Sequence, residues 1–217
     1  YHGKALAYGV AAAPFARLFG LNGLLLFNVL LLWSVFYLGF RFLSLYLAPG
    51  AAFGWSLAFF GASVAPLYVV WLTSEIFNLA LVFFAYWLWL YKEAQPAHAP
   101  ALPRWRSGWR ADLIAAALLG IAIYSKPPNL VLLAPPVLLA LWRRRWGRSV
   151  AIGATGALVA LLAFGGTMAV SGEWNYQGGE RKSFYGSFPF DGPGATFHNR
   201  GIAYATDTLE GEVVLDA

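Results

Sequence analysis

The chain has 217 residues, of which 59% are hydrophobic, 18% aromatic and only 12% charged. Soluble domains carry about 25% charged residues, so a water-soluble fold of this length lacks the polar surface it needs. The same numbers exclude disorder, and basic residues scattered between apolar runs argue against a nucleic-acid footprint. With no cysteine there is neither a disulfide framework nor a Cys-ligated metal site. The net charge of +5 is unevenly placed. Residues 1–171 hold twelve Lys and Arg against three acids, Glu75, Glu93 and Asp112, whereas residues 172–217 hold three basic residues against seven acids. Two regions in different environments are expected, in a chain that opens on Tyr1 and reads as a piece of a longer protein.

Residues 4–19 are apolar but interrupted by Pro14 and Arg17, and the uncharged core 5–16 is too short to cross a bilayer. Leu6, Val10, Phe15 and Leu18 fall on one helical face, which predicts an interfacial helix on the outer surface; a signal-peptide-like segment is the alternative. Further on, the runs 18–40, 42–74, 76–91, 113–125, 127–142 and 149–172 contain no Asp, Glu, Lys or Arg. A perpendicular helix crosses the hydrocarbon in about 20 apolar residues. Helical spans are therefore expected at about 22–43, 51–72 (after a break at Pro49-Gly50), 75–91, 111–124, 128–142 and 149–171. The stretch 111–142 reads either as one bent helix or as two short ones. The pair is preferred, because Lys126-Pro127-Pro128 in mid-membrane is costly and a hairpin tip at an aqueous surface avoids that cost. The fold class is thus all-α: a polytopic membrane region over 1–171 with about six spans and an outer interfacial helix.

Six spans put Arg41, Lys92, Arg104, Arg106, Arg110, Arg143, Arg144, Arg145 and Arg148 on one side, which the positive-inside rule assigns to the cytoplasm. Glu75, Lys126 and residues 172–217 then face outward. That tail, beginning "GEWNYQGGERKSFYGSFPFDGPG", has eight glycines and no helical period. It reads as an ordered extracytoplasmic loop, with a candidate strand at Gly211–Leu215 and the start of a further segment.

An acid at a membrane boundary is a functional candidate by default. Glu75, in "VVWLTSEIFNLAL", is the only acid before Tyr91. It reads as a ligand-binding or base-positioning carboxylate, with Thr73, Ser74 or Asn78 as hydrogen-bond partners. It reads equally as a first-turn acid behind a Thr73 or Ser74 cap. Lys126 reads as a cation for a phosphate group or as a snorkelling lysine in a turn; Lys4 is a similar case. Trp174, Asn175, Gln177 and Arg181 in the tail suit sugar faces and hydroxyls, with ordinary loop structure as the alternative. Arg143–Arg145 reads as a topology determinant, with anionic-lipid binding as a lesser reading. No HExxH, Walker A, GxSxG or Rossmann glycine pattern occurs, so nucleotide chemistry has no support. One carboxylate does not define a metal site; no cofactor is predicted with certainty, and a divalent cation stays open.

The order "HGKALAYGVAAAPFARLFG", an apolar span ending in "LGFRFL", "TSEIFNLALVFFAYWLWLYK" and "LLGIAIYSKPPNLVLLAPPVLLALWRRR" resembles the C-type membrane glycosyltransferases, which include the protein O-mannosyltransferases and the aminoarabinose transferases of lipid A. The resemblance covers residues 1–148 and lies in the order and spacing of degenerate motifs. It implies transfer of a sugar from a polyprenyl-phosphate donor to a lipid, protein or glycan acceptor at the outer face of a bacterial inner membrane. It further implies that Lys4 and Lys126 face the donor phosphate and that Glu75 lies beside the reaction centre as a supporting acid. The family's catalytic acid and first span would precede Tyr1, so the chain alone is expected to be inactive. Lys4 is followed by Ala5-Leu6 where the family has two prolines. A transporter or lipid-binding membrane protein, and a structural membrane subunit, are the alternatives. Against the transporter, the polar groups gather at one boundary and no internal repeat is visible.

Overall fold

The computed structural model describes residues 6–96 and 102–171. All regular structure among them is helical: α1 (Ala7–Phe19), α2 (Leu21–Leu43), α3 (Pro49–Gly61), α4 (Ala65–Val70), α5 (Glu75–Glu93), α6 (Arg104–Ser107), α7 (Trp109–Ser125), a 3-10 segment (Pro127–Leu133), α8 (Ala134–Trp142) and α9 (Trp146–Ser171). Two of these helices, Leu21–Leu43 and Trp146–Val170, are long and apolar enough to cross a membrane. Only 28% and 17% of their most apolar stretches are buried, so neither is wrapped by protein as the core helix of a soluble domain would be.

Cross-chain contacts fix the direction of each helix. The start of α5 meets the end of α7 through Glu75 and Lys126, and the end of α5 meets the start of α7 through Lys92 and Asp112. Tyr124 near the end of α7 bonds Thr167 near the end of α9, while Arg148 at the start of α9 reaches Asp112. Phe27 packs tilted against Phe77 at one end of α2, and Phe42 edge to face against Tyr91 at the other. Residues 127–142 return antiparallel to α7, since Tyr86 donates to the Leu132 carbonyl and Arg143 pairs with Glu93. The described residues therefore make six alternating passes. α2, α5 and the 3-10/α8 segment run one way; α3–α4, α7 and α9 run the other.

The uncharged stretch expected as a single helix over 51–72 is two helices. α3 ends at Gly61, and Ser63 Oγ donates to the Phe60 carbonyl while accepting the Ala65 N–H at 3.1 Å. That side-chain turn, with Pro66 supplying no donor in the first turn of α4, ends one helix and starts the next. Helix α1 runs through Pro14. Its protein-facing side is Tyr8, Ala12 and Phe15, packed on Phe27 and Phe77. Of the face predicted from spacing, Leu6, Val10 and Leu18 point outward and stay exposed.

A close seam joins α7 to α9. A Cβ on Gly120 would lie 2.6 Å from the Gly156 carbonyl oxygen and 2.8 Å from Val159 Cβ. Both neighbours are fixed, so Gly120→Ala forces the helices apart. We expect it to cost about 2–3 kcal/mol in thermal unfolding of the detergent-solubilised chain. Gly165→Ala, whose Cβ meets nothing within 4 Å, is expected to be neutral or slightly stabilising because alanine is the better helix former. Equal effects of the two substitutions would contradict the seam.

Candidate functional site

Two local rules bring Glu75 and Lys126 together. Leu72 has a left-handed backbone (φ 50°), which turns the chain so that α5 starts afresh at Ser74-Glu75. At the other partner, proline restricts the residue before it to extended backbone, and Lys126, followed by Pro127-Pro128, sits at φ −145° and ψ 102°. The lysine is thereby thrown out of α7 toward the start of α5. The turn is held by the Lys126 N–H and Asn129 Nδ2, both donating to the Ala122 carbonyl at 2.9 Å, and by the Asn129 N–H donating to the Lys126 carbonyl.

Lys126 Nζ donates to Glu75 Oε2. Each charge also stands at the helix end that favours it, the carboxylate at the N-terminus of α5 and the ammonium at the C-terminus of α7. Their side chains remain 24% and 40% exposed. A pair this open contributes no more than about 1 kcal/mol, so Lys126 can exchange the carboxylate for an incoming anion at little cost.

The surroundings are polar and fixed. Thr167 Oγ1 donates to the Ala163 carbonyl, so the Tyr124 hydroxyl donates to Thr167 and accepts the Leu6 N–H at 3.1 Å. Asn28, fully buried, accepts from the Tyr8 hydroxyl at 3.3 Å and donates to the Val69 carbonyl at 3.1 Å. Burial raises the Tyr8 phenol above its ordinary value, against a smaller lowering by the Asn28 contact, and keeps it a neutral donor. One asparagine thus ties α1, α2 and α4 together. Beside Glu75, Asn78 Nδ2 donates to the Ser74 carbonyl. Asn78 Oδ1 and Thr73 Oγ1 are buried without a hydrogen-bond partner among the described residues. The cap expected from Thr73 or Ser74 is not realised, for the Ser74 side chain makes no cap bond and Thr73 Oγ1 bonds nothing among the described residues. Beside the carboxylate–ammonium pair, Asn78 Oδ1 can accept from a ligand hydroxyl and Thr73 Oγ1 can bond a hydroxyl or a phosphate oxygen.

The opposite end of the bundle carries the other charges. Lys92 pairs with Asp112, and Arg148 Nη2 lies 2.5 Å from Asp112 Oδ2 in a contact not aligned as a hydrogen bond. Glu93 pairs with Arg143 and stands 3.6 Å from Arg148. Arg106 lies over Trp87 and Tyr91 with its guanidinium carbon 4.1 and 4.6 Å from the ring centres. The bundle is therefore polarised, with Glu75 and Lys126 at one end and the arginine-rich loops at the other.

Of the residues singled out from sequence, Glu75 and Lys126 are brought together. Lys4, Trp174, Asn175, Gln177 and Arg181 lie outside the described residues. Asn28, Tyr8 and Tyr124 were not singled out; the one available signal was an asparagine inside an otherwise apolar run, which a span tolerates only when satisfied. Among the described residues no three His, Asp or Glu side chains are grouped as metal ligands. No family model, curated protein or solved structure matches the chain.

Proposed function

We propose that the chain is the membrane region of a glycosyltransferase that takes a sugar from a polyprenyl-phosphate donor and passes it to a lipid, protein or glycan acceptor at the extracytoplasmic face of a bacterial inner membrane. The observation that carries the reading is the open Glu75–Lys126 pair at the end of the bundle away from the arginines. By the positive-inside rule that end faces outward. A lipid-linked donor presents its phosphate at this depth, where Lys126 would neutralise charge developing on the departing phosphate. Glu75, released from Lys126, would orient the acceptor hydroxyl as a supporting acid.

The six passes are read as spans. α2 and α9 suffice alone by length, and the shorter passes carry exposed Trp55, Phe59, Ile114 and Leu138, an apolar surface too extensive for water and suited to lipid. α1, with Leu6, Val10 and Leu18 turned outward, lies at the interface.

The test is turnover of a polyprenyl-phosphate sugar by the full-length protein. Lys126→Met is expected to lower the rate about 100-fold, the scale for removing one oxyanion-stabilising group, and Glu75→Gln about tenfold. Wild-type turnover in both variants would remove this site assignment.

A further inference from the structure

At the arginine-rich end every described acid is already engaged, Glu93 by Arg143 and Arg148 and Asp112 by Lys92 and Arg148. Arg41 and Arg106 are two of the guanidiniums there that have no carboxylate among the described residues. Arg41, in the last turn of α2, is exposed and donates to the Tyr37 hydroxyl at 3.0 Å. Arg106, on α6, is stacked on Trp87 and Tyr91, and its Nη2 is buried with no hydrogen-bond partner among the described residues. The two share a neighbourhood, for Arg106 lies over the Tyr91 ring and Phe42, next to Arg41 in the chain, packs edge to face against the same ring. Burial lowers the Arg106 pKa, Tyr91 opposes that, and the charge of Arg41 adds to the lowering. Two like charges held together with an unsatisfied donor between aromatic rings make a niche for an anion with several acceptor oxygens.

What lies next to the niche identifies the anion's carrier. Phe42, whose ring centre is 6.4 Å from that of Tyr91, is also a wall of an apolar groove of about 510 Å³ between α2 and α3, lined further by Leu43, Trp55, Phe59 and Phe83. The groove's one buried polar atom without a partner among the described residues is Ser56 Oγ, a donor suited to an ester carbonyl. A soluble phosphate has no use for such a groove, whereas a phospholipid fills both parts.

We propose that this end binds an anionic phospholipid, its phosphodiester held by Arg41 and Arg106 and one acyl chain lying in the groove between α2 and α3. The proposal rests on the membrane placement above and is independent of the transfer reaction, so it is tested by binding and not by turnover. The full chain in detergent is titrated with phosphatidylglycerol or with phosphatidylcholine of the same acyl chains, and bound lipid is counted by native mass spectrometry. Phosphatidylglycerol is expected to bind at least about tenfold more tightly, and Arg41→Gln/Arg106→Gln to remove that preference, the scale of one charge-assisted hydrogen bond. Arg110→Gln, an exposed charge at the same end but outside the pair, is expected to change nothing. Equal binding of the two lipids, full retention by the double variant, or an equal loss in Arg110→Gln would overturn the proposal. So would displacement of the lipid by millimolar inorganic phosphate, which would mark a free-anion site. If the double variant fails to fold, the lipid comparison and the phosphate competition on the wild-type chain still decide.

Discussion

Asp112→Ala is expected to destabilise the bundle by about 3–5 kcal/mol, the scale for leaving a buried charge without its partner. Asp112 is 1% exposed and its partner Lys92 7%, so neither charge recovers hydration when the other is removed. Without the carboxylate, Lys92 and Arg148 face each other as like charges in a dry seam between α5, α7 and α9. Asp112→Asn keeps the shape and one acceptor and should recover only part of the loss. Replacing both members, Lys92→Met with Asp112→Leu, should recover most of it, because a buried ion pair and a well-packed apolar pair are close in free energy. Arg148 would then lean on Glu93, already 3.6 Å away. Thermal and denaturant unfolding in micelles checks the series. A single Asp112→Ala loss below about 1 kcal/mol, the level of an exposed pair, would mean that water reaches this seam.

The same carboxylate shows where sequence reading stops. Asp112 is one acid near the start of an apolar stretch, and periodicity says only that it sits in the first turn of a helix, where the dipole favours it. Its partners lie 20 and 36 positions away, and only the antiparallel docking of α5, α7 and α9 brings them together. Local features were legible. Gly20, at φ 59°, marks the joint of α1 and α2, Pro49 is the first residue of α3, and Lys126-Pro127-Pro128 ends α7 at Ser125. The break at Ala62–Val64 was not, since a run without charges looks continuous to a hydropathy reading. The cue lay in Gly61, Ser63 and Pro66, small signals that matter only in combination.

The site divides in the same way. Glu75 and Lys126 stand out in composition, as an acid and a base flanking long apolar runs. Their pairing does not, because nothing local to either residue encodes a contact across 51 positions. Asn28 is the intermediate case. An amide in the middle of Leu21–Leu43 signals a satisfied interior contact, yet only the fold identifies the Val69 carbonyl and the Tyr8 hydroxyl as its partners.

Gly23→Ala is expected to release α1 from the bundle. An added Cβ would stand 1.9 Å from the Phe15 carbonyl oxygen, 2.4 Å from its carbon and 2.9 Å from the Ala16 nitrogen. These are backbone atoms inside a helix and cannot rotate aside, so α1 and α2 must part by more than an ångström. That separation breaks the interactions that seat α1: Tyr8 on Asn28, the Leu6 N–H on Tyr124, and the Phe15 and Ala12 packing against Phe27. Together they are worth several kcal/mol at about 1 kcal/mol per hydrogen bond and 0.5–1.5 per aromatic pair. Because α1 packs across the end where Glu75 and Lys126 meet, turnover in the full-length protein should fall with it, while the α5–α7–α9 seam, which shares no atom with the clash, keeps its unfolding midpoint. Limited proteolysis resolves the two effects, with cleavage after Arg17 expected at least tenfold faster in Gly23→Ala than in wild type, as the docked fraction falls by about 1.4 kcal/mol or more. Gly9→Ala, also on α1 but with open space around its Cβ, should be cleaved at the wild-type rate. Equal protection of Gly23→Ala and wild type would show that α1 and α2 do not approach at Gly23, and the view of α1 as the cover of the ion pair would go with it.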